Sequence, residues 1–296
     1  GTANNDTTNP TQAQYAAIGV NGVDTAQEES LLGDVLDTAS RNGTATDAAA
    51  VDTVTKVQAL ATAVQAVMDG NATKAQLESL GVTGVTTGNL SSVQAALAAA
   101  TDATDLNSLS GLQAVVSAAA DALSAIQTAA QANTATGTSP SVAQYTAIAV
   151  TGVNAQNLAA LNSALNDADI TGTQADTTAE VQAIVDAYAA ILAEANGSTA
   201  DATGTDPSAA TYQTVGVTLG AIATNANGLS LLNDLVGERS ASAVDSVSDL
   251  NALADAVNRL LVVAAGGTAT PALTAAELNA LLGTSTVTPE NLASVL

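Results

Sequence analysis

Cysteine, histidine, tryptophan and phenylalanine are absent from this 296-residue chain, and four tyrosines are its only aromatics. Without Cys there is no disulfide and no thiol nucleophile. Without His there is no imidazole base, and with both missing a zinc site of the usual nitrogen and sulfur type is excluded. Cations are scarce as well: Asp and Glu number 28 against five Lys and Arg (Arg41, Lys56, Lys74, Arg239 and Arg259), which leaves a net charge of −23. Phosphate backbones need a basic stripe and anionic lipid headgroups a polybasic patch, so neither nucleic acid nor direct membrane insertion is expected. Such acidity favours solubility and mutual repulsion. Long apolar runs are also missing. Hydrophobic residues make up 47% of the chain, but Asp, Asn, Gln, Thr and Ser interrupt them every few positions. The most apolar stretch, Leu260 to Ala265, is far shorter than the ~20 residues of a membrane span. No pair of carboxylates and no Ser–Lys pair stands together in an apolar setting, so no enzyme activity and no catalytic residue is expected. Residue 1 is Gly and no charged-then-apolar leader precedes it, so the chain reads as a processed or excised piece.

What the chain does have is internal repetition. The segment Gln14-Tyr15-Ala16-Ala17-Ile18-Gly19-Val20-Asn21-Gly22-Val23 returns at Leu77 to Val85, at Gln144 to Val153, at Thr211 to Val217 and, more loosely, at Leu278 to Val287. The anchors Tyr15, Leu77, Tyr145, Tyr212 and Leu278 are spaced by 62, 68, 67 and 66 residues. A period of this size points to modules in a line rather than one enlarged core. The boundaries expected are 1–70, 71–133, 134–200 and 201–266 for four full segments and 267–296 for a partial fifth.

Each segment reads as two short helices and a long one. In the first, Tyr15, Ile18 and Gly19 fit a short helix that Gly closes. Asp24 or Thr25 caps a second helix with Glu28 as capping-box partner, ahead of Leu31, Leu32, Val35 and Leu36. Arg41 to Thr44 reads as a loop. Val51, Val54, Val57, Leu60, Val64 and Val67 then form one stripe of a third helix of about five turns. Its counterparts run through Leu109 to Ile126, Val181 to Ile191 and Val244 to Leu260. The fold class expected is therefore all-α: tandem three-helix bundles with a period of about 65 residues, an elongated array whose last repeat is incomplete. Linkers fall at Gly1–Pro10, Gln131–Pro140, Asn196–Pro207 and Gly266–Pro271. Pro10, Pro140, Pro207 and Pro271 stand just ahead of first helices, and Pro289 at N1 of a second.

Candidate sites are few. Tyr15, Tyr145 and Tyr212 share a position and read as core rings whose hydroxyls reach the rim. The acidic loops Asn166–Asp169 and Asp201–Asp206 carry oxygen ligands, yet neither matches the twelve-residue helix-flanked calcium pattern. No cofactor is expected, and calcium is the one ion the composition leaves open. Sequons at Asn42, Asn71, Asn89 and Asn196 lie in or near loops and read as chance in so Thr- and Ser-rich a chain. The fifth segment offers Leu281, Leu282, Leu292, Val295 and Leu296 without a third helix to cover them. An exposed apolar surface of this kind is the candidate assembly interface, with self-association or neighbouring repeats as the expected partner.

The opening Gln-Tyr-Thr-Ala-Ile-Ala-Val-Thr-Gly-Val of the third segment carries a resemblance. So do its second helix Asn157-Leu158-Ala159-Ala160-Leu161-Asn162 and its third, Ala179 to Tyr188. Over almost its whole length the chain resembles the Ala/Thr/Asp-rich helical repeats of giant bacterial surface adhesins and biofilm-associated proteins. The resemblance implies an extracellular, cell-surface scaffold for adhesion, biofilm or self-assembly into filaments. The rival expectations are an array of three-helix modules that captures a host or matrix protein, and a surface-layer or sheath subunit.

Overall fold

The computed structural model describes residues 9–41, 51–132, 139–197, 206–281 and 285–296. Among them the chain is all-helical, with fourteen α-helices, three short 3-10 turns and no strand. One isolated antiparallel bridge joins Asn196 to Ser240. The helices are α1 (Gln12–Ala17), α2 (Ala26–Arg41), α3 (Val54–Met68), α4 (Lys74–Ser79), α5 (Leu90–Ala99), α6 (Leu109–Ala132), α7 (Val142–Ala147), α8 (Leu158–Leu165), α9 (Thr178–Glu194), α10 (Ala209–Thr214), α11 (Ala226–Gly237), α12 (Val247–Ala264), α13 (Ala275–Leu281) and α14 (Leu292–Val295). Residues 42–44 of the expected first loop, and most of the linkers at 1–10, 131–140 and 196–207, lie outside the described residues.

The chain forms two compact units. The first comprises Gly1–Ile126, Ala143–Val150 and Asp176–Thr178, and the second Gln127–Val142, Thr151–Ala175 and Ala179–Leu296. In the first the buried core includes Leu31, Leu32, Val64, Leu97, Leu112 and Tyr145; in the second it includes Leu161, Val181, Tyr188, Tyr212, Leu250 and Val257. With so little aromatic area, both cores depend on Ala, Val and Leu at helical spacing.

Local contacts explain why the short helices form where they do. A hydroxyl four residues before the anchor closes a capping box with a residue three further on: Thr11 with Gln14, Thr73 with Gln76, and Ser208 with Thr211. Four residues after the anchor the backbone turns left-handed, at Gly19, Gly81, Ala149 and Gly216, with φ of 85°, 91°, 61° and 93°. The following valine then donates its N–H back to the anchor carbonyl at 3.0–3.1 Å: Val20 to Tyr15, Val82 to Leu77, Val150 to Tyr145 and Val217 to Tyr212. This six-to-one bond satisfies a helix-end carbonyl, and the valine is buried each time.

Ala149 is the only non-glycine residue with positive φ among the described residues. A side chain there costs about 1–2 kcal/mol, against the ~0.5–1 kcal/mol that Gly loses in chain entropy. Ala149→Gly should therefore raise stability by a few tenths to about 1 kcal/mol, read as a higher Tm.

A second contact follows two residues later and ties each short helix to its long one. Gln58 accepts from the Asn21 N–H at 2.8 Å and donates to the Asn21 carbonyl at 3.0 Å. Gln113 makes the same pair with Thr83 at 2.8 and 3.1 Å, and Gln182 with Thr151 at 2.9 and 3.2 Å. The shorter Asn251 keeps the contact with the Thr218 N–H, at 2.8 Å. Each backbone partner lies six residues past its anchor, and each amide is the fifth residue of its long helix.

Some boundaries differ from those the sequence suggests. Helix α3 starts at Val54, because Thr53 is its N-cap and accepts from Lys56 N, and it has 15 residues, or about four turns. Val51 stands before it. Val244 likewise precedes α12, whose N-cap is Ser246. Pro289 lies two residues before the N-cap Asn291 of α14, not at N1. The span Leu109–Gln131 of helix α6 is long and apolar enough by length and composition to cross a membrane, although Ser, Gln, Thr and Asp interrupt its apolar residues. A third of its most apolar window is buried, along the stripe Leu112, Val116, Ala119, Leu123 and Ile126, with Asp121 on the exposed side. A one-sided stripe of that kind is what a core helix shows.

Candidate functional site

Among the described residues no three acidic side chains converge as a metal-binding group. In the loop 166–169, Asp167 accepts from the Asp169 N–H at 3.0 Å and packs so tightly on Gly216 that a Cβ there would come within 2.8 Å of its oxygen. Burial raises the Asp167 carboxyl above its usual range. Residues 201–205 of the other acidic loop, and the sequon residues Asn42 and Ser198, are outside the described residues. The Asn89 amide spans its own loop, donating to Gly84 O at 2.9 Å and accepting from Thr86 N at 2.7 Å. Asn157 does the same with Gly152 and Asn154, and Asn291 with Thr286 and Thr288.

The tyrosines sit deeper than expected. Tyr15, Tyr145, Tyr188 and Tyr212 are all fully buried, so none presents a hydroxyl at the rim. Tyr212 Oη bonds Asn233 Oδ1 at 2.8 Å, and Tyr188 Oη bonds the Val244 carbonyl at 3.1 Å. Tyr15 Oη has no hydrogen-bond partner among the described residues. Segment 1 has Gly33 where segment 4 has Asn233, and the Asn9 side chain fills the space a Cβ would take there. Burial, with Glu29 and Asp37 nearby, pushes the Tyr15 hydroxyl up to about 12.

Buried polar side chains locate the contacts that matter. Those that are buried are Glu28, Ser92, Asn157, Asn233 and Arg259, and each is hydrogen-bonded, as burial demands. Ser92, on α5, accepts from the N–H of Thr178, the first residue of α9 in the next segment, at 3.2 Å. Asp34 on α2 accepts from Leu109 N, the first residue of α6, at 2.7 Å. Ser163 on α8 accepts from Val247 N, the first residue of α12, at 3.0 Å. Three times, then, the second helix of one segment caps the long helix of the next. Sequence reasoning missed these caps.

Arg259 closes the fourth segment onto the fifth. Its guanidinium reaches Glu277 at 2.6 and 3.2 Å and Asp255 at 2.9 Å, while Glu277 also accepts from Thr274 N at 2.8 Å. The hydrogen bond from Arg259, followed by that from Thr274, lowers the Glu277 carboxyl from 4.5 to about 2. A carboxylate held below its unfolded value stabilises the fold above pH about 4.5. That contribution is lost as pH falls through about 2. Protection of the α13 amides, after division by their intrinsic exchange rates, should therefore fall on acidification across this window, and Glu277→Gln should abolish that dependence. A flat protection profile in the wild type would contradict it.

The five expected interface residues are not equivalent. Leu281 is buried on α13 and presents no surface, because the helix packs through Leu278 and Leu281. Leu282 lies outside the described residues, Leu292 is half-buried, and Val295 and Leu296 are exposed.

A second open surface lies on segment 1. Ile18 is 54% exposed and Val54 45%, and Val51 is half-buried. Ile18 and Val51, with Tyr15, Leu36 and Val57, line a groove of about 560 Å³. Positions matching Ile18 elsewhere, Leu80, Ile148 and Val215, are buried. So are Leu106, Ala175 and Val244, each three residues before a long helix as Val51 is.

Comparison with known proteins gives no match to any family model, any curated protein or any solved structure.

Proposed function

We propose that the chain is a non-enzymatic structural protein: tandem three-helix repeats of about 65 residues, with a partial fifth, forming a rod-like scaffold at a bacterial cell surface. Its role is adhesion, biofilm formation or self-assembly, and its partners are further repeats of its own kind. The observation that carries this reading is the recurrence of one set of contacts in register with the sequence repeat. The long-helix amide meets the backbone six residues past the anchor in four segments, and second-helix groups cap the following long helix three times. Nearest-neighbour contact of this type is the basis of repeat architectures. An array that captures a host protein would want exposed aromatic anchors, whereas all four tyrosines are buried.

Small-angle X-ray scattering of the dilute chain tests the reading. An extended particle is expected. A radius of gyration of about 19 Å, that of a single globule of this length, would overturn it.

A further inference from the structure

We infer that Asn21 is a site of spontaneous, enzyme-free deamidation, and that the reaction irreversibly opens the contact holding the first short helix to its long helix.

Position 21 is where the repeat ties its short helix to its long one: Gln58 accepts from the Asn21 N–H at 2.8 Å and donates to the Asn21 carbonyl at 3.0 Å. The matching residues Thr83, Thr151 and Thr218 have no side-chain amide. Asn21 has one, and glycine follows it. That pairing has a specific chemistry. The Gly22 nitrogen, having given its proton to water, attacks Asn21 Cγ; the Cγ–Nδ2 bond breaks, ammonia leaves, and a succinimide ring is closed. Water then opens the ring. Addition at Cγ gives aspartate in an ordinary chain, whereas addition at the main-chain carbonyl carbon leaves the chain running through Cβ and Cγ, as isoaspartate.

The structure separates Asn21 from the other Asn–Gly pairs. Asn21 is exposed, so water reaches its amide. The Gly22 N–H makes no hydrogen bond among the described residues, which leaves its nitrogen free to lose a proton. Gly22 has φ of 78°, and no Cβ stands in the way of its approach. At Asn196–Gly197 the glycine N–H is held twice, by the carbonyls of Gly237 at 2.9 Å and Arg239 at 2.8 Å. At Asn227–Gly228 the glycine is buried within α11, and its N–H donates to Asn225 Oδ1 at 2.9 Å. Asn42–Gly43 lies outside the described residues.

Gln58 both restrains the reaction and loses its partner to it. Bringing the Gly22 nitrogen to Cγ requires rotation about the Asn21 Cα–C bond. The peptide unit is planar, so the Asn21 carbonyl swings with that nitrogen and must leave Gln58. In the isoaspartyl product an extra methylene separates the Cα of residue 21 from the Gly22 nitrogen. The N–H and carbonyl of residue 21 then no longer stand at the spacing Gln58 bridges. Segment 1 thus carries a slow one-way change that threonine denies to segments 2 to 4.

Storage of the whole chain at mildly alkaline pH, followed by peptide mapping of aspartate and isoaspartate, tests this. Cleavage after Lys and Arg isolates residues 1–41, where Asn21–Gly22 is the one Asn–Gly pair, from the peptide that holds Asn42. Asn21 should convert roughly tenfold faster than Asn196 or Asn227, whose glycine N–H groups must first be freed. Gln58→Met keeps the length of the side chain and removes both hydrogen bonds, so conversion should rise about fivefold or more, the worth of one hydrogen bond at least. If that variant loses helicity by circular dichroism, Gln58→Glu replaces it, since it keeps the acceptor for the Asn21 N–H and removes the donor to the carbonyl. Isoaspartyl molecules should lose hydrogen-exchange protection at the residue 21 N–H, while Thr83 and Thr151 keep theirs. Conversion at Asn21 no faster than at Asn196 and Asn227 overturns the inference. So does an unchanged rate in the Gln58 variant, or an isoaspartyl product whose residue 21 amide stays protected.

Discussion

Replacing Tyr188 by Ala should destabilise the second compact unit by about 3–5 kcal/mol, the range for deleting a large buried aromatic. The ring is fully buried on α9, in a chain with only four aromatics to spend on its cores. The hydroxyl adds a separate part: it donates to the Val244 carbonyl at 3.1 Å, in the stretch that leads into the next long helix. Tyr188→Phe keeps the ring and should cost about 1–2 kcal/mol, by leaving that carbonyl without its donor. Tyr15→Phe is the control, since the Tyr15 hydroxyl is buried with no hydrogen-bond partner among the described residues. Its removal should be neutral or stabilising. Chemical denaturation of the three variants would read the ordering directly, and a Tyr188→Phe as stable as the wild type would refute the role given to the hydroxyl.

Gly70→Ala should cost about 2–4 kcal/mol, combining overpacking with a left-handed backbone. Gly70 ends α3 with φ of 67°, and a Cβ on it would meet Ala98 Cβ at 2.6 Å and Ala98 Cα at 2.8 Å. The Asn71 N–H returns to the Ala66 carbonyl across this turn, so the chain has little room to give. Gly84→Ala separates the two contributions: φ is 85° there, but nothing lies within 4 Å of the added methyl. Gly84→Ala should lose only about 1 kcal/mol. Adding Ala98→Gly to Gly70→Ala should restore part of the loss, because the clash with the Ala98 methyl goes while the clash with its backbone stays. Equal losses at Gly70 and Gly84 would mean that α5 yields to the intrusion.

The sequence made the helical class, the short first helices and the Thr25–Glu28 capping box legible, because each depends on contacts within a few residues. The fifth-position amides carry the same kind of periodic signal. Contacts between segments were not legible. Asp34 and Ser163 share a register, each one residue past the position of Gly33 and Asn162, but Ser92 sits one turn earlier and Ala95 takes their place in α5. No repeated letter marks the cap, so pattern matching passes over it. The contrast between Ile18 and Ile148 was hidden for the opposite reason. The letter is the same, and only the neighbour decides that one is exposed and the other buried. The depth of the tyrosines and the burial of Leu281 are likewise tertiary facts.

The amides, hydroxyls and left-handed turns that recur along the chain are electrically neutral, and the acidic side chains that join them include Glu28, Asp34 and Glu277. The net charge of −23 belongs mostly to side chains outside that framework. Ionic strength therefore acts on two properties separately. Neutral short-range hydrogen bonds are nearly blind to dissolved salt, whereas repulsion between whole molecules is screened within about 8 Å at physiological ionic strength. Fresh water would hold such molecules apart and brine would let them approach, with the internal geometry of each unchanged.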